Sequence, residues 1–362
     1  MEMRRVYAYM IMMISIVACQ KQVDTPDIHA PWGGYITFST GIETKTPINV
    51  NMRGKNFGVL AYSYDSNWAT ARPVSTPDLF YNQTVVCDNN GICTYDADPS
   101  ADGTQVKEWN LAKTYSFFAY YPTTADNSGI SISGSSATDM PKVTYTYPFG
   151  TPDANGNVNI TVPGKDGLAD LADLMTAAAT DQTGKGSGIV RFNFEHRLFC
   201  FEILANNYND DTTIDISNLK LKLKGLAYDS MTVPMMASDS RTHVTKTSTR
   251  LPASVTYTIS DGTTATIPSF KNGGTSYSLS KNCSSTQDGY IMLIPQDTEI
   301  SGEFTWDNMP TGSGVMTTFT TNLDFQAGKK YSIIINFAGD AITIAIIEAG
   351  TWASNEVNIE FE

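Results

Sequence analysis

The segment Asp153-Ala154-Asn155-Gly156-Asn157-Val158-Asn159 sets oxygen-bearing side chains at alternate positions, the spacing with which a loop wraps a calcium ion. Its glycine stands fourth instead of sixth, and Gly164 occupies the place of the closing glutamate, so an Asn-Gly hairpin turn is the better reading. Gly184-Lys185-Gly186-Ser187-Gly188 has the composition of a phosphate-cradling loop, but it lacks the Walker spacing and a following helix and reads as a linker. His196 could act as a base with Glu195, yet neighbours on a strand point to opposite faces, which favours a structural histidine. The 37 acids single out no carboxylate pair of the glycosidase kind, and no Gly-x-Ser-x-Gly elbow supplies a serine nucleophile. His29, His196 and His243 are far apart and no Cys-x-x-Cys occurs, so no metal site is expected. These readings predict no catalytic residue, no cofactor and no enzyme.

Cys19 carries a different chemistry. Arg4 and Arg5 precede the apolar run Val6 to Val17, which is broken only by Tyr7, Tyr9 and Ser15. It is too short for a bilayer span, which needs roughly 20 residues. Its close, Ile16-Val17-Ala18-Cys19, resembles a bacterial lipobox, in which the cysteine is acylated and becomes the new N-terminus. Residues 1–18 therefore read as a lipoprotein signal peptide, and 19–32, polar with Pro26 and Pro31, as a flexible tether. Such a lipid holds a soluble body at a membrane without making it an integral protein. Loss of residues 1–18 removes Arg4, Arg5 and Glu2 and leaves 22 basic against 36 acidic residues, a net charge of about −14. That surface disfavours nucleic acid and anionic lipid as partners.

Export permits disulfides. Cys87 and Cys93 flank Asp88-Asn89-Asn90-Gly91-Ile92, whose Asn-Gly signals a hairpin, and they form a candidate disulfide clip if the geometry allows. Cys200, inside Phe199-Cys200-Phe201, reads as a small buried hydrophobe.

The remaining chain is strand and turn. Tyr35–Ser39, Phe57–Tyr64, Tyr115–Tyr121, Val143–Tyr147, Ile189–Leu204, Ile214–Leu223, Val255–Ile259, Tyr290–Ile294, Tyr331–Phe337 and Ala341–Ile347 are rich in β-branched and aromatic residues. Gly, Asn, Asp, Pro and Ser clusters separate them. One stretch, Leu168 to Ala179, looks helical. With Asp181 to Gly188 as the boundary, the sequence predicts an all-β chain of two β-sandwich domains, 33–187 and 188–362. Trp32, Trp68, Trp109, Trp306 and Trp352 could stack on sugars if exposed, but core anchoring is the commoner use.

Several local patterns together resemble the fimbrillin family of lipoprotein pilins, also called Mfa-like or type V pilins. They are Tyr35-Ile36-Thr37-Phe38-Ser39, Phe57-Gly58-Val59-Leu60-Ala61-Tyr62 and Phe117-Phe118-Ala119-Tyr120-Tyr121-Pro122 with Trp109 upstream. Next come Asp173-Leu174-Met175-Thr176-Ala177, then Phe192-Asn193-Phe194-Glu195-His196-Arg197-Leu198, and Leu293-Ile294-Pro295-Gln296. Lys330-Tyr331 before Ile333-Ile334-Ile335, and Gly350-Thr351-Trp352, complete the set. The resemblance implies two transthyretin-like β-sandwich domains in tandem and a structural role (stalk, tip or anchor) in a cell-surface fimbria that supports adhesion. It further implies assembly with other fimbrial subunits. In the assembly that the resemblance implies, a protease would cut at a basic residue beyond the first strand, and a strand from another subunit would fill the opened groove by β-augmentation. On this chain the candidate cleavage site is Arg53, and the candidate donor strand carries Val357, Ile359 and Phe361. With no long extension after Phe361-Glu362, a tip or anchor stands beside a stalk as an expectation. The expected location is the outer membrane and cell surface, with Cys19 as the lipid anchor. The competing expectation is a non-polymerising surface lipoprotein that binds glycans or host or bacterial surface ligands.

Overall fold

A computed structural model of the chain describes residues 36–40, 52, 54–71, 77–88, 92–95, 107–133, 141–147, 149–161, 173–185, 189–210, 212–236, 244–259, 264–270, 275–279, 290–307, 317–339 and 341–351. Its strands begin with β1 (Thr37–Thr40), β2 (Asn56–Tyr64), β3 (Phe80–Cys87), β4 (Ile92–Thr94), β5 (Thr114–Tyr121), β6 (Ile130–Ser133), β7 (Lys142–Thr146) and β8 (Asn157–Thr161). Then follow β9 (Met175–Gln182), β10 (Ile189–Phe192), β11 (Glu195–His196), β12 (Phe199–Asn207), β13 (Ile214–Lys224), β14 (Ser230–Pro234), β15 (Thr245–Thr247) and β16 (Ser254–Thr258). The last are β17 (Ala265–Ile267), β18 (Tyr277–Ser278), β19 (Ile291–Leu293), β20 (Ile300–Asp307), β21 (Thr317–Thr321), β22 (Lys329–Ala338) and β23 (Ala341–Thr351). The helix Trp68–Ala71 is a single turn. The fold is all-β. Among the described residues no helix is long and apolar enough to cross a membrane.

Eight strands form one sheet in the order β10-β1-β4-β3-β2-β5-β9-β11. The central pair, β2 and β5, is apolar at nearly every position, the mark of a strand covered on both faces. Phe57, Val59, Ala61, Phe117 and Ala119 turn into a cluster built from this sheet and its connections. Leu60, Tyr62, Tyr64, Phe118 and Tyr120 turn the other way, into a larger core that continues through the second half of the chain. Gly58 lies on this second face because a Cβ there would run into the Tyr120 ring.

The second half holds a five-stranded sheet, β18-β12-β22-β23 with β19 beside β12, and a six-stranded sheet, β21-β20-β13-β16-β8 with β17 on β13. Phe199, Phe201, Ile203, Tyr331, Ile333 and Ile335 from the first meet Leu221, Leu223, Val255, Tyr257 and Phe304 from the second in one buried core. A four-stranded sheet, β15-β14-β7-β6, draws strands from both halves. Pairing also crosses residue 188 elsewhere, because β10 and β11 lie in the eight-stranded sheet and β8 pairs with β16.

Two expectations are corrected here. Met175–Gln182 is a strand, not a helix. In β9, Ala177, Ala178 and Ala179 stand opposite Ala119, Phe118 and Phe117 of β5, so small side chains fit beside rings that project from both faces. That packing overrides the helical preference of an alanine run. The Asn155-Gly156 turn exists, with Gly156 at φ 78°, but it closes no hairpin. β7 and β8, on either side of it, lie in different sheets.

Candidate functional site

β1 is a short strand inserted between two neighbours. It runs parallel to β10, with Thr37, Phe38, Ser39 and Thr40 opposite Ile189, Val190, Arg191 and Phe192. It runs antiparallel to β4, with Phe38 opposite Cys93 and Ser39 opposite Ile92. Alternation sends Ile36 and Phe38 inward, and both are buried. Phe38 lies among Phe80, Tyr95, Phe117 and Phe192, with ring centroids 5.9, 5.5, 5.9 and 5.8 Å away. It meets Tyr95 and Phe117 by an edge and stacks on Phe192, geometries that aromatic quadrupoles favour. Both backbone polar groups of Ile36 are held. Its N–H donates to the Lys107 carbonyl at 2.8 Å, and its carbonyl accepts from the Tyr95 hydroxyl at 3.0 Å. That hydroxyl in turn accepts from the Lys107 N–H at 3.0 Å. Burial pushes the Tyr95 phenol up, with the Lys107 N–H opposing, so it remains a donor at neutral pH.

The wall beside β1 is the β3–β4 ladder. β4 has three residues and two register pairs with β3, one of them Cys87 with Cys93, and these two are joined by a disulfide. On the far side of the β1–β2 connection, Met52 is fully buried in the same core as Phe38. Gly54 takes φ 69°, a left-handed conformation that glycine adopts without a Cβ penalty. Its N–H donates to the Asp88 carbonyl at 3.1 Å, and the Cys87 N–H donates to the Lys55 carbonyl at 3.1 Å. The Lys55 ammonium lies 5.1 Å from the centroid of the Tyr121 ring.

A second group of side chains ties β9 to β11. His196 Nδ1 bonds the Asp173 carboxylate at 2.8 Å, with both groups largely buried. The Arg197 N–H donates to the Leu174 carbonyl at 2.8 Å, and its Nε donates to Thr176 Oγ1 at 2.6 Å. Burial pulls the Arg197 guanidinium down, while Glu195, 3.3 Å away, opposes. Glu195 and His196 thus face opposite sides and take different partners, so the cluster is a clasp between strands instead of a base with its carboxylate.

Cys19, Arg53, Val357, Ile359 and Phe361 lie outside the described residues. Met52 and Gly54, on either side of Arg53, do not. The structure places Cys93 opposite Phe38 of β1 and Cys87 behind it on β3. Trp68, Trp109 and Trp306 are each 5% exposed and serve the cores, and Trp32 and Trp352 lie outside the described residues. Cys200 is buried, which pushes its thiol well up. The Asp153 carboxylate accepts from the N–H groups of Asn155 and Asn157 at 2.8 and 2.9 Å and so caps its own turn. Among the described residues no group of three His, Cys, Asp or Glu could hold a metal ion. Sequence reading missed the parallel neighbour β10 and the Tyr95–Lys107 bracket. The alternation of Ile189-Val190-Arg191-Phe192 marked a strand but not its partner.

A family model described as Fimbrillin-like matches residues 44–352. The chain belongs to the fimbrillin-like family. Among curated proteins, none matches it by sequence. Solved structures of similar fold include a fimbrial protein from Bacteroides vulgatus, at 18% identity and TM-score 0.56 over 87% of this chain and 98% of that one. A putative cell adhesion protein from Bacteroides ovatus aligns at 16% identity and TM-score 0.51, over 89% of this chain and 97% of that one. One from Bacteroides uniformis aligns at 14% identity and TM-score 0.51, over 87% and 98%. At these identities the likeness concerns the fold. In this fimbrillin-like chain, two of the motifs that suggested the family meet in space. Asp173-Leu174-Met175-Thr176 and Glu195-His196-Arg197 are the two sides of the clasp.

Proposed function

We propose that this protein is a subunit of a cell-surface fimbria, serves adhesion, and assembles by exchange of its first strand. The carrying observation is the seat of β1: four residues flanked on both sides by other strands and anchored by Ile36 and Phe38, with Arg53 between β1 and β2 in the sequence. A cut after Arg53 leaves Met52 on the departing fragment, which then holds to the body through three buried apolar side chains, Ile36, Phe38 and Met52. At about 1.5–3 kcal/mol for each buried side chain, cleavage alone does not expel the fragment. A competing strand must displace it, and the groove it enters offers backbone groups of β4 and β10 together with aromatic pockets. The family membership and the fimbrial and cell-adhesion descriptions of the structural neighbours support this role over a catalytic one. Acylation at Cys19 would tether the subunit to the outer membrane before assembly, and labelling with a palmitate analogue, lost in Cys19→Ala, tests that step.

The central test uses the mature chain with Cys19 replaced, treated with an arginine-specific protease. Cleavage at Arg53 followed by heat-labile ladders on gels and fibres by negative stain is the expected result, and Arg53→Ala should block both. A chain that is cut at Arg53 yet stays monomeric with its fragment bound at any concentration overturns the exchange mechanism.

A further inference from the structure

At the end of β12 away from Cys200, alternation sorts the side chains by face. Ala205 lies in the core, and Asn207 turns toward β17, where its Nδ2 donates to the carbonyls of Thr212 and Ile267 at 2.8 and 3.2 Å. Asn206 and Tyr208 take the outer face. The Tyr208 N–H donates to the Phe337 carbonyl at 2.8 Å and so carries the ladder past the end of the strand. Register sets Asn206 opposite Asn336 of β22, and Asn336 opposite Thr343 of β23. These three make a polar row two strand spacings long, about 10 Å. Asn206 Nδ2 donates to Asn336 Oδ1 at 2.9 Å and reaches the Tyr208 hydroxyl only at 3.5 Å. The Tyr208 ring lies 5.3 Å from that of half-buried Phe270 and is itself 37% exposed. Its backbone neighbour is fixed: the Asn209 side chain accepts from the Gly339 N–H at 2.5 Å, and the Ser269 hydroxyl donates to the Asn209 carbonyl at 2.6 Å. Asn206 is only 8% exposed, and among the described residues its Oδ1 is buried without a hydrogen-bond donor.

We propose that this corner of the five-stranded sheet binds a neutral glycan, with Tyr208 as the stacking platform and Asn206, Asn336 and Thr343 as the polar row. The inference rests on the adhesion part of the proposed function and adds the ligand class and its site. A pyranose ring has an apolar C–H face and a rim of hydroxyls that both donate and accept. The face of the Tyr208 ring is the negative side of its quadrupole and suits those C–H groups. A sugar hydroxyl that donates to Asn206 Oδ1 supplies the hydrogen bond that this buried acceptor lacks, which offsets its desolvation. The Asn336 amide nitrogen and the Thr343 hydroxyl serve the next hydroxyls along the row. At 3.5 Å the contact with Asn206 holds the Tyr208 hydroxyl only weakly, so the ring can turn outward and open the way to Asn206. None of these side chains, Phe270 included, is charged, and the chain carries a formal net charge of −13. An acidic glycan finds neither an ion pair nor a favourable field here. Few polar groups converging beside aromatic rings are the ordinary makings of a small-ligand site.

The test passes the uncleaved mature chain, with Cys19 replaced, over immobilised oligosaccharides that end in galactose, mannose or N-acetylglucosamine, and over sialylated and sulfated ones. Retention on at least one neutral set, competed by the same oligosaccharide in solution, is the expected result. Tyr208→Ala should weaken it about tenfold, and Tyr208→Phe, which keeps the ring, about twofold. Asn206→Leu removes the unpartnered acceptor and leaves the half-exposed Asn336 to water. It should weaken binding about tenfold while the melting temperature stays at or above that of the wild type, which a purely structural role for Asn206 would not give. Retention that survives both Tyr208→Ala and Asn206→Leu, retention on the acidic sets alone, or none at all overturns the proposal. A dimer of the chain that Tyr208→Ala dissociates gives this face to a second copy and overturns it as well. The chain used is uncleaved, so each of these results leaves strand exchange to be judged by the ladders. Absence of ladders from a cleaved chain that still binds the oligosaccharide overturns the exchange mechanism and supports the glycan site.

Discussion

Each half of the molecule opens on a strand that lies parallel to a later one. In the first half β1 pairs with β10 over four positions and with β4 over two. In the second, β12 pairs with β22 over eight positions, with β19 over three and with β18 over two. Aromatic burial does not separate them. Phe38 has four ring neighbours, and Phe201 packs on Phe199, Phe325 and Tyr331 at 5.3, 5.3 and 6.4 Å. The difference is the number of backbone pairs that must part together. On the proposed exchange, the short ladder of β1 around well-packed side chains would let that strand leave, whereas the same packing on the long ladder of β12 would hold it.

The comparison can be broken most directly by a carboxylate. Phe201→Asp should prevent folding, because an unpaired charge in that core outweighs much of the 5–15 kcal/mol that holds a domain together. Phe38→Asp should instead give a soluble body with β1 undocked, seen as rapid proteolysis of the N-terminal segment with an unchanged circular dichroism melt for the rest. If both variants fail to fold, β1 is as permanent as β12. Phe38→Ala should weaken the docking of β1 by about 3–4 kcal/mol, read as faster hydrogen exchange and proteolysis of that strand with the melt of the rest unchanged. Changing both Cys87 and Cys93 to Ser should cost about 2 kcal/mol, from the short loop they close, and should loosen the β4 wall in hydrogen exchange. Asp173→Ala removes the partner of a buried His196 nitrogen and should cost about 1.5 kcal/mol without altering β1 protection. The smallest effect belongs to Glu303, whose carboxyl is held low by the hydrogen bond from Lys224. Its contribution is present above the ordinary carboxylate pKa and lost as pH falls through the lower folded value. Lys224→Met should flatten the acid limb of the stability profile by about 0.5 kcal/mol, as befits a partly exposed pair.

Strand identity was legible where alternation or aromatic and β-branched runs were long, as in β2, β5, β13 and β22. The run Ile189–Leu204 read as one strand but breaks at Asn193-Phe194 and Arg197-Leu198 into β10, β11 and β12. Those breaks let the chain leave one sheet, form the Asp173–His196 clasp and enter another. β9 misled because its alanine run carries a helical preference, and nothing local reveals that its neighbour's rings need the space. The seat of β1 was half legible: Ile36 and Phe38 announce an inward face, but Phe80, Tyr95 and Phe192 come from three other segments, and no local pattern joins them. Pairing of β7 with β14 and of β8 with β16 is likewise a long-range choice that periodicity does not encode.

The five-stranded sheet has a mechanical consequence. Cys200 at the start of β12 and Gly350 at the end of β23 are both register partners of Lys330, so they lie about 10 Å apart, two strand spacings, at the same end of the sheet. A pull applied between these points does not stretch the sandwich along its length. It loads the antiparallel β22–β23 ladder from its open end, one pair at a time. The C-terminal sandwich would therefore hang beside a line of tension as a side lobe, and β23 would be the first element to peel when that line is drawn tight.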